Sequence, residues 1–367
     1  MSRFAPWLLA LAALAACSEP PTITDCIPGI DPTCVPPDPD DEIVGGLNLT
    51  QLFAAPTPAE VDAALAVEMS ATDASLPPLT AADPAPDGAR QFVLGLDDGA
   101  GRILTALVRV PGAAGATSQL PVVVVLPDGT GGASAADFLT APGYGRLATD
   151  VVQVVVAYRG EALVVARDSI RSSRPGRAFL DDVPDVLAVL AALAPIPRAD
   201  TSRVALVGAG RGGTVALLAA ETGSVEGVVS LGAVSDLFAD SFVELIRAEL
   251  RGEAPAPTPA GFLRLQRPVT DVRNGILSLA EARVALLHLS PARLRPRERL
   301  PALLALHGED DVVVAPDHLD ALAAGLAGTG GPPRTLALVE NAGHGDLLVR
   351  PSVQSQIASF LTDLFFP

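Results

Sequence analysis

The sequence predicts an α/β fold in which a mostly parallel central sheet is flanked by helices and carries a small cap insertion. From residue 91 onward, strand-like and helix-like segments alternate, as expected for a parallel-rich sheet covered by helices. Residues 121–129 and 151–160 are continuous apolar runs, which is typical of parallel strands buried on both faces. Residues 236–296 form an irregular stretch, which predicts the cap or lid.

The individual elements follow from local patterns. Residues 91–96 and 102–110 flank the turn sequence DDGAG and predict an antiparallel hairpin at the start of the sheet. Beyond the two apolar strands, the patterns predict strands at 203–208, 225–233, 301–310 and 334–341, and helices at 181–193, 212–221, 316–328 and 351–365.

The N-terminus predicts export. Arg3 supplies a positive charge, and residues 7–16 are an apolar stretch too short to span a bilayer, which needs roughly 20 residues. The small residues before Cys17 resemble a bacterial lipobox, so residues 1–17 are interpreted as a lipoprotein signal peptide with Cys17 as the lipidated residue. Ser18 after the cysteine then favours the outer membrane, facing the periplasm or the surface. The alternative is an ordinary signal peptide with an incidental cysteine.

Two further segments separate the signal from the α/β domain at 91–367. Residues 18–41 are acidic and Pro-rich and predict a tether without a core of its own. Cys26 and Cys34 lie in this tether, where an oxidising compartment favours a small disulfide loop over two free thiols. Residues 42–90 are interpreted as a helical and linker extension, with a capped helix at 57–69.

Charge and composition exclude one class of partner. The net charge of −17 opposes binding to nucleic acid, whose phosphates it would repel. Two cysteines without a nearby histidine make a poor metal site, so we predict no metal and no cofactor.

The sequence VALVGAGRGGTVALLAA at 204–220 permits two interpretations of its glycine-rich turn. Gly208, Gly210 and Gly213 fit the dinucleotide-binding pattern G-x-G-x-x-G. That turn normally follows the first strand of its domain and needs an acid about 20 residues later. Here at least four predicted strands precede the turn, and the acid after the next strand, Asp236, comes late, so the dinucleotide interpretation is disfavoured.

The second interpretation is a nucleophile elbow whose serine is replaced by glycine. Gly208 and Gly212 fit the flanking places of G-x-S-x-G, with Gly210 at the nucleophile position. Such an elbow requires an acid and then a histidine after later strands. Asp311 follows the strand at 301–310, and His344 follows the strand at 334–341.

These motifs together resemble the α/β-hydrolase family, particularly its prolyl-oligopeptidase-like and dienelactone-hydrolase-like branch, over about residues 91–366. The matching stretches, in order, are VVAYRG, DTSRVALVGAGRGG, LSPARLRPRERLPALLALHGEDDVVV and AGHG. The resemblance implies Asp311 as the triad acid and His344 as the triad histidine.

The resemblance to the family is weakest at the oxyanion hole. LPDGTGG at 126–132 stands where the family usually has a His-Gly-Gly-like run. The resemblance implies the backbone N–H of Arg211 as one donor, with Gly129 or Thr130 supplying the second. A carboxylate at Asp128 would oppose a developing oxyanion.

The missing nucleophile leaves three hypotheses. Loss of a triad serine typically costs about 10⁶-fold in kcat, which favours a non-catalytic homologue that is anchored through lipid at Cys17 and binds a small ester, a peptide or a protein partner. Alternatively, His344 held by Asp311 activates a water for weak ester or peptide hydrolysis. The third hypothesis is that Gly210 is either a variant found in one bacterial strain or an error in the sequence.

Overall fold

A computed structural model describes residues 40–367, except for short stretches at 68–69, 73–74, 76–78, 86, 98–100, 113–117, 130, 174, 223–224, 254–256, 295–300 and 329. The predicted signal peptide, Cys17, Cys26, Cys34 and all of the tether before residue 40 lie outside the described residues. Among the residues described, no helix is both long and apolar enough to cross a membrane.

Strands and helices alternate along the chain as the sequence patterns predict. The strands are β1 Ile43–Val44, β2 Leu47–Asn48, β3 Thr80–Ala82, β4 Arg90–Asp97, β5 Arg102–Val110, β6 Leu120–Leu126, β7 Ala133–Ser134, β8 Val152–Ala157, β9 Ala162–Val165, β10 Asp168–Arg171, β11 Ala199–Ala209, β12 Gly227–Leu231, β13 Ala302–Gly308 and β14 Arg334–Val339. The helices are α1 Leu49–Leu52, α2 Pro58–Ala66, α3 Leu147–Asp150, α4 Asp182–Ala191, α5 Arg211–Ala220, α6 Asp240–Leu250, α7 Phe262–Leu265, α8 Arg267–Arg273, α9 Leu279–His288, α10 Asp317–Leu326 and α11 Pro351–Phe365.

The central sheet has nine strands within the described part of the chain, in the order β14-β13-β12-β11-β6-β8-β5-β4-β3. The six strands from β14 to β8 are mutually parallel. β5 pairs antiparallel with both β8 and β4, which confirms the predicted hairpin. The predicted fold class, a mostly parallel sheet flanked by helices, is therefore confirmed.

Apolar side chains cover both faces of the sheet, as the continuous apolar runs predict. Val122 and Val124 of β6 point into one buried cluster, which also contains side chains of α4 and α5. Val123 and Val125 point into the other, which contains side chains of α11. Because successive side chains of a strand face opposite sides, a strand covered on both faces is apolar at every position.

The stretch 236–296 is more regular than the sequence patterns indicated. It contains four helices among its described residues, α6 to α9. α9 begins with a capping box, in which the Ser278 hydroxyl accepts from the Glu281 N–H and the Glu281 carboxylate accepts from the Ser278 N–H. The prediction of an irregular segment was wrong here, because this local start signal was not recognised.

The N-terminal extension, predicted as a separate helical and linker segment at 42–90, contributes the edge strand β3 to the central sheet and packs α2 on the helices of 236–296. α2 begins with the predicted Thr57 cap and ends at Ala66, three residues before the predicted end at 69. It lies against α9, where Arg283 bonds to the Glu60 carboxylate and to the backbone carbonyls of Gln51 and Leu52. The extension and the cap are thereby joined through one buried cation.

Candidate active site

The glycine-rich turn joins β11 to α5 in a strained conformation at Gly210 and leaves no room for a side chain at Gly208 or Gly212. Gly210 has φ 49° and ψ −116°, in a region that side chains rarely adopt. A Cβ at Gly208 would overlap the carbonyl of Gly212, and a Cβ at Gly212 would overlap the carbonyl of Leu126. This is the sharp strand-to-helix geometry of a nucleophile elbow.

The register between β6 and β11 brings Asp128 to Gly210. The two strands are parallel neighbours, and Leu126 of β6 lies opposite Gly208 of β11. Both chains run two residues further, so Asp128 and Gly210 meet above the same edge of the sheet. A Cβ on residue 210 would overlap the Asp128 carboxylate and lie 3.0 Å from His344 Nε2. The Asp128 carboxylate thus fills the space in which a serine side chain would stand.

Asp311 and His344, which the sequence predicts as acid and histidine, form a hydrogen-bonded pair. Asp311 Oδ2 lies 2.7 Å from His344 Nδ1, and Asp311 Oδ1 accepts from the N–H groups of Val313 and Val314, each at 2.9 Å. Burial raises the pKa of Asp311, but the bonds from His344 and from these N–H groups outweigh it, and the pKa is lowered overall. Asp311 therefore remains ionised.

His344 also contacts Asp128 with its other ring nitrogen. Asp128 Oδ2 lies 3.2 Å from His344 Nε2, so the imidazole stands between two carboxylates. Burial lowers the pKa of His344, but the bonds to Asp128 and Asp311 outweigh it and raise the pKa to about 9. At neutral pH His344 is an imidazolium that donates from both nitrogens, and it has no lone pair with which to accept a proton.

Asp128 also accepts from the backbone donor predicted for an oxyanion. The Arg211 N–H donates to Asp128 Oδ1 over 3.1 Å. Of the two candidates for a second donor, Gly129 follows Asp128 directly, and Thr130 lies outside the described residues. The sequence prediction treated Asp128 only as a charge opposing the oxyanion and missed that it bonds both Arg211 and His344. No local sequence signal reveals this contact, because it depends on the register between β6 and β11.

The side chain of Arg211 is buried beneath the elbow and anchors it. Its guanidinium forms a bidentate pair with Asp182 at the start of α4, with two bonds of 2.8 Å, and a third bond of 2.7 Å to Glu161. It also stacks on Tyr158, with 4.2 Å from the guanidinium carbon to the ring centroid. Two carboxylates and one aromatic ring thus hold the first residue of α5.

Three other polar side chains, Arg159, His307 and His288, also have structural partners. Arg159 forms an ion pair with Asp185 of α4. His307 Nε2 lies 2.8 Å from the Val314 carbonyl, and His288 Nδ1 lies 3.2 Å from the Ala64 carbonyl. Among the described residues, no cluster of histidine, cysteine and acidic side chains is arranged to hold a metal ion.

Several solved structures are similar to this fold. Acetyl xylan esterase 1 from Thermoanaerobacterium sp. JW/SL YS485 has a TM-score of 0.55 at 15% identity, covering 86% of this chain and 93% of the esterase. The acetyl xylan esterase from Paenibacillus sp. R4 has a TM-score of 0.56 at 16% identity, covering 85% of this chain and 99% of the esterase. A puromycin hydrolase has a TM-score of 0.51 at 22% identity, covering 80% of this chain and 39% of its own, so this chain spans about two fifths of that protein.

These neighbours define the fold class. The chain has the α/β-hydrolase fold, as the sequence resemblance implied. No family model matches the chain, and no curated protein matches it. In this fold the turn between β11 and α5 is the position of the nucleophile elbow, so the cofactor interpretation of the glycine pattern has no structural support.

Proposed function

We propose that this protein is a non-catalytic homologue of serine esterases and peptidases, displayed at the outer membrane through lipid on Cys17, and that it acts by binding. One observation carries the catalytic part of the proposal. The Asp128 carboxylate fills the side-chain space at Gly210 and accepts the Arg211 N–H that would otherwise stabilise an oxyanion.

The charge state of His344 supports the same proposal. Acyl transfer by a serine hydrolase begins when histidine removes the proton of the nucleophile. Burial opposes the shift, but the two carboxylates raise the pKa of His344 to about 9, so most of the protein carries a protonated His344 at pH 7. The alternative in which Asp311 and His344 activate a water needs the neutral form, so the pairing with Asp128 opposes it as well.

The ligand class for this proposal comes from the chemistry of the fold neighbours. Two of them are acetyl xylan esterases and one is a puromycin hydrolase. A small ester or a peptide bound at the former substrate cleft is the corresponding ligand, and a protein partner is the other candidate. The membrane location rests on the lipobox-like sequence, and replacement of Cys17 by serine with fractionation of cell envelopes tests it separately.

The catalytic proposal is tested with purified protein and two reagents. A fluorophosphonate probe labels an activated serine covalently, and p-nitrophenyl acetate reports hydrolysis. We expect no labelling and no turnover above the buffer rate at pH 7. Labelling of the protein, or turnover that the His344→Ala variant abolishes, would overturn the proposal.

The pH dependence separates the two hypotheses further. Water activation by His344 predicts that hydrolysis increases as pH rises through about 9, because the neutral imidazole accumulates there. A non-catalytic site predicts a rate that follows hydroxide alone and is identical in His344→Ala. A pH-dependent increase restricted to the unmodified protein would establish the water mechanism instead.

A further inference from the structure

An apolar groove lies on the helical cap, away from the elbow. It has a volume of about 580 Å³, within the range of small-molecule sites. Its lining comes mainly from α8 and α9, and it includes Leu277, Val284 and Leu289. Val67 after α2 and Leu180 before α4 also line it, and these two side chains are 44% and 38% exposed.

The charges around the groove leave one cation without a partner. Four charged side chains line it, namely Arg264, Arg267, Asp271 and Glu281. Arg267 pairs with Asp271 at 3.3 Å, and Glu281 accepts from the Ser278 N–H and hydroxyl, each at 2.8 Å. Arg264 is exposed and makes no side-chain hydrogen bond or ion pair with the residues that the structure describes.

The position of Arg264 links the groove to the cleft beside the elbow. The same side chain lines a second, larger cavity, of about 790 Å³, which Arg211 and Glu161 also line. Arg264 therefore stands between the apolar groove and a second cleft that opens to solvent. A ligand with an apolar chain in the groove would present its head group to this guanidinium.

We propose that the groove binds an anionic amphiphile with a single apolar chain, of the fatty-acid type, with its carboxylate on Arg264. The apolar lining matches the chain, and the unpaired guanidinium matches a carboxylate through charge-assisted hydrogen bonds. Because the net charge of −17 repels anions in general, a cation beside the groove that has no ionic partner among the described residues is needed to hold such a ligand. The site uses no residue of the elbow, so it stands whether or not the proposed function is right.

The test measures binding of dodecanoate, dodecanol and acetate to the purified protein by isothermal titration calorimetry, below the aggregation concentration of the amphiphiles. Arg264→Gln removes the head-group contact. Arg273→Gln is the matched control, because Arg273 ends α8, is exposed and does not line the groove. Ala285→Phe fills the groove from α9 at a half-buried alanine.

We expect dodecanoate to bind and acetate not to bind. Arg264→Gln should weaken dodecanoate binding about tenfold and leave dodecanol unchanged, since the loss is one charge-assisted interaction. Arg273→Gln should change neither by more than about twofold. Ala285→Phe should weaken both amphiphiles at least about tenfold, with the thermal unfolding midpoint recorded to show that each variant is folded.

Three outcomes would overturn the proposal. The first is no binding of dodecanoate, and the second is binding that Ala285→Phe leaves unchanged. The third is binding of phosphatidylglycerol vesicles without binding of free dodecanoate, which would make the face a membrane contact. Equal weakening of dodecanoate binding by Arg264→Gln and Arg273→Gln would show that the carboxylate does not bind Arg264. Esterase and probe assays on the same samples report on the proposed function independently.

Discussion

Arg211 at the elbow and Arg283 on the cap are buried almost equally, at 5% and 6% exposure, but their partners differ. Arg211 is neutralised by two carboxylates, those of Asp182 and Glu161. Arg283 has one carboxylate partner, Glu60, and otherwise donates to backbone carbonyls, with three of these bonds from one nitrogen. One region is held mainly by charge and the other largely by the polypeptide backbone.

This difference matters for function. At the elbow the same kind of pairing continues above the strand ends, where Asp128, His344 and Asp311 form a second group of alternating charges. Ionised groups in this arrangement resist change, because removal of one member leaves another charge buried without a partner. The cap, by contrast, carries Arg264, which has no ionic partner among the residues that the structure describes, and an open apolar groove. At the elbow the charged side chains are therefore paired with one another, whereas on the cap the groove is exposed to solvent.

The largest effect is expected when a nucleophile is restored at residue 210. Gly210→Ser together with Asp128→Ala removes the carboxylate that overlaps residue 210 and places a hydroxyl beside His344. We expect p-nitrophenyl acetate hydrolysis at least about 10³-fold faster than in Gly210→Ser alone, because histidine and the Arg211 N–H become available together. Addition of His344→Ala should remove the gain. A double variant as inactive as the single one would mean that the oxyanion hole is also lost.

Substitution of each buried arginine by methionine compares the two regions directly. Arg211→Met leaves Asp182 and Glu161 buried without a cation and should reduce the free energy of unfolding by about 3–5 kcal/mol. Arg283→Met leaves one carboxylate that is 20% exposed, and should cost about 2–3 kcal/mol. Urea titrations of the two variants measure both values. Equal losses would show that backbone partners anchor the cation as strongly as carboxylates do.

The pairing at His344 predicts a loss of stability in alkali. Its pKa in the folded protein is raised from 6.5 to about 9, because the bonds to Asp128 and Asp311 outweigh burial. A raised pKa contributes stability that is complete below about pH 6.5 and is lost as pH rises through about 9. We expect a decrease of about 2 kcal/mol, reduced from the full shift because Asp128 is partly exposed.

Proton NMR of the four histidines checks this assignment. His288, His307 and His318 have lowered pKa values through burial, so His344 should be the one that titrates above its ordinary value. Asp128→Asn should lower the pKa of His344 and shrink the alkaline loss of stability. If His344 titrates near 6.5 in the unmodified protein, the contact with Asp128 does not form in solution.

The smallest effect on stability is expected from the Glu60–Arg283 ion pair at low pH. The pKa of Glu60 is lowered from 4.5 to about 2, chiefly by its bonds to Arg283. A lowered pKa contributes stability that is present above about pH 4.5 and is lost as pH falls through about 2. Glu60→Gln should therefore cost about 1 kcal/mol at pH 7, after allowance for solvent screening, and clearly less at pH 2, where about half of the Glu60 carboxylates are protonated. Denaturation curves at the two pH values measure the difference, and an equal cost at both would exclude the ion pair as its source.

Several features were determined by the sequence alone because their signals are local. The apolar runs at residues 121–129 and 151–160 predicted strands buried on both faces, and the structure confirms them as β6 and β8 within the sheet. The absence of a nucleophile at Gly210 is likewise visible in one turn, where the neighbouring glycines identify the conformation. The cap helices also carried local start signals, such as the capping box at Ser278, which were not recognised.

Only the tertiary structure decided the role of Asp128. β6 and β11 are neighbours in the sheet although more than 70 residues separate them in the chain, and their register places Leu126 opposite Gly208. A shift of that register by one residue would move Asp128 along the strand direction relative to Gly210 and separate the two residues. Pairings between distant strands depend on the whole folded core and have no signature in either segment. The sequence therefore determined which group is missing from the elbow, and the packing of the sheet determined which group takes its space.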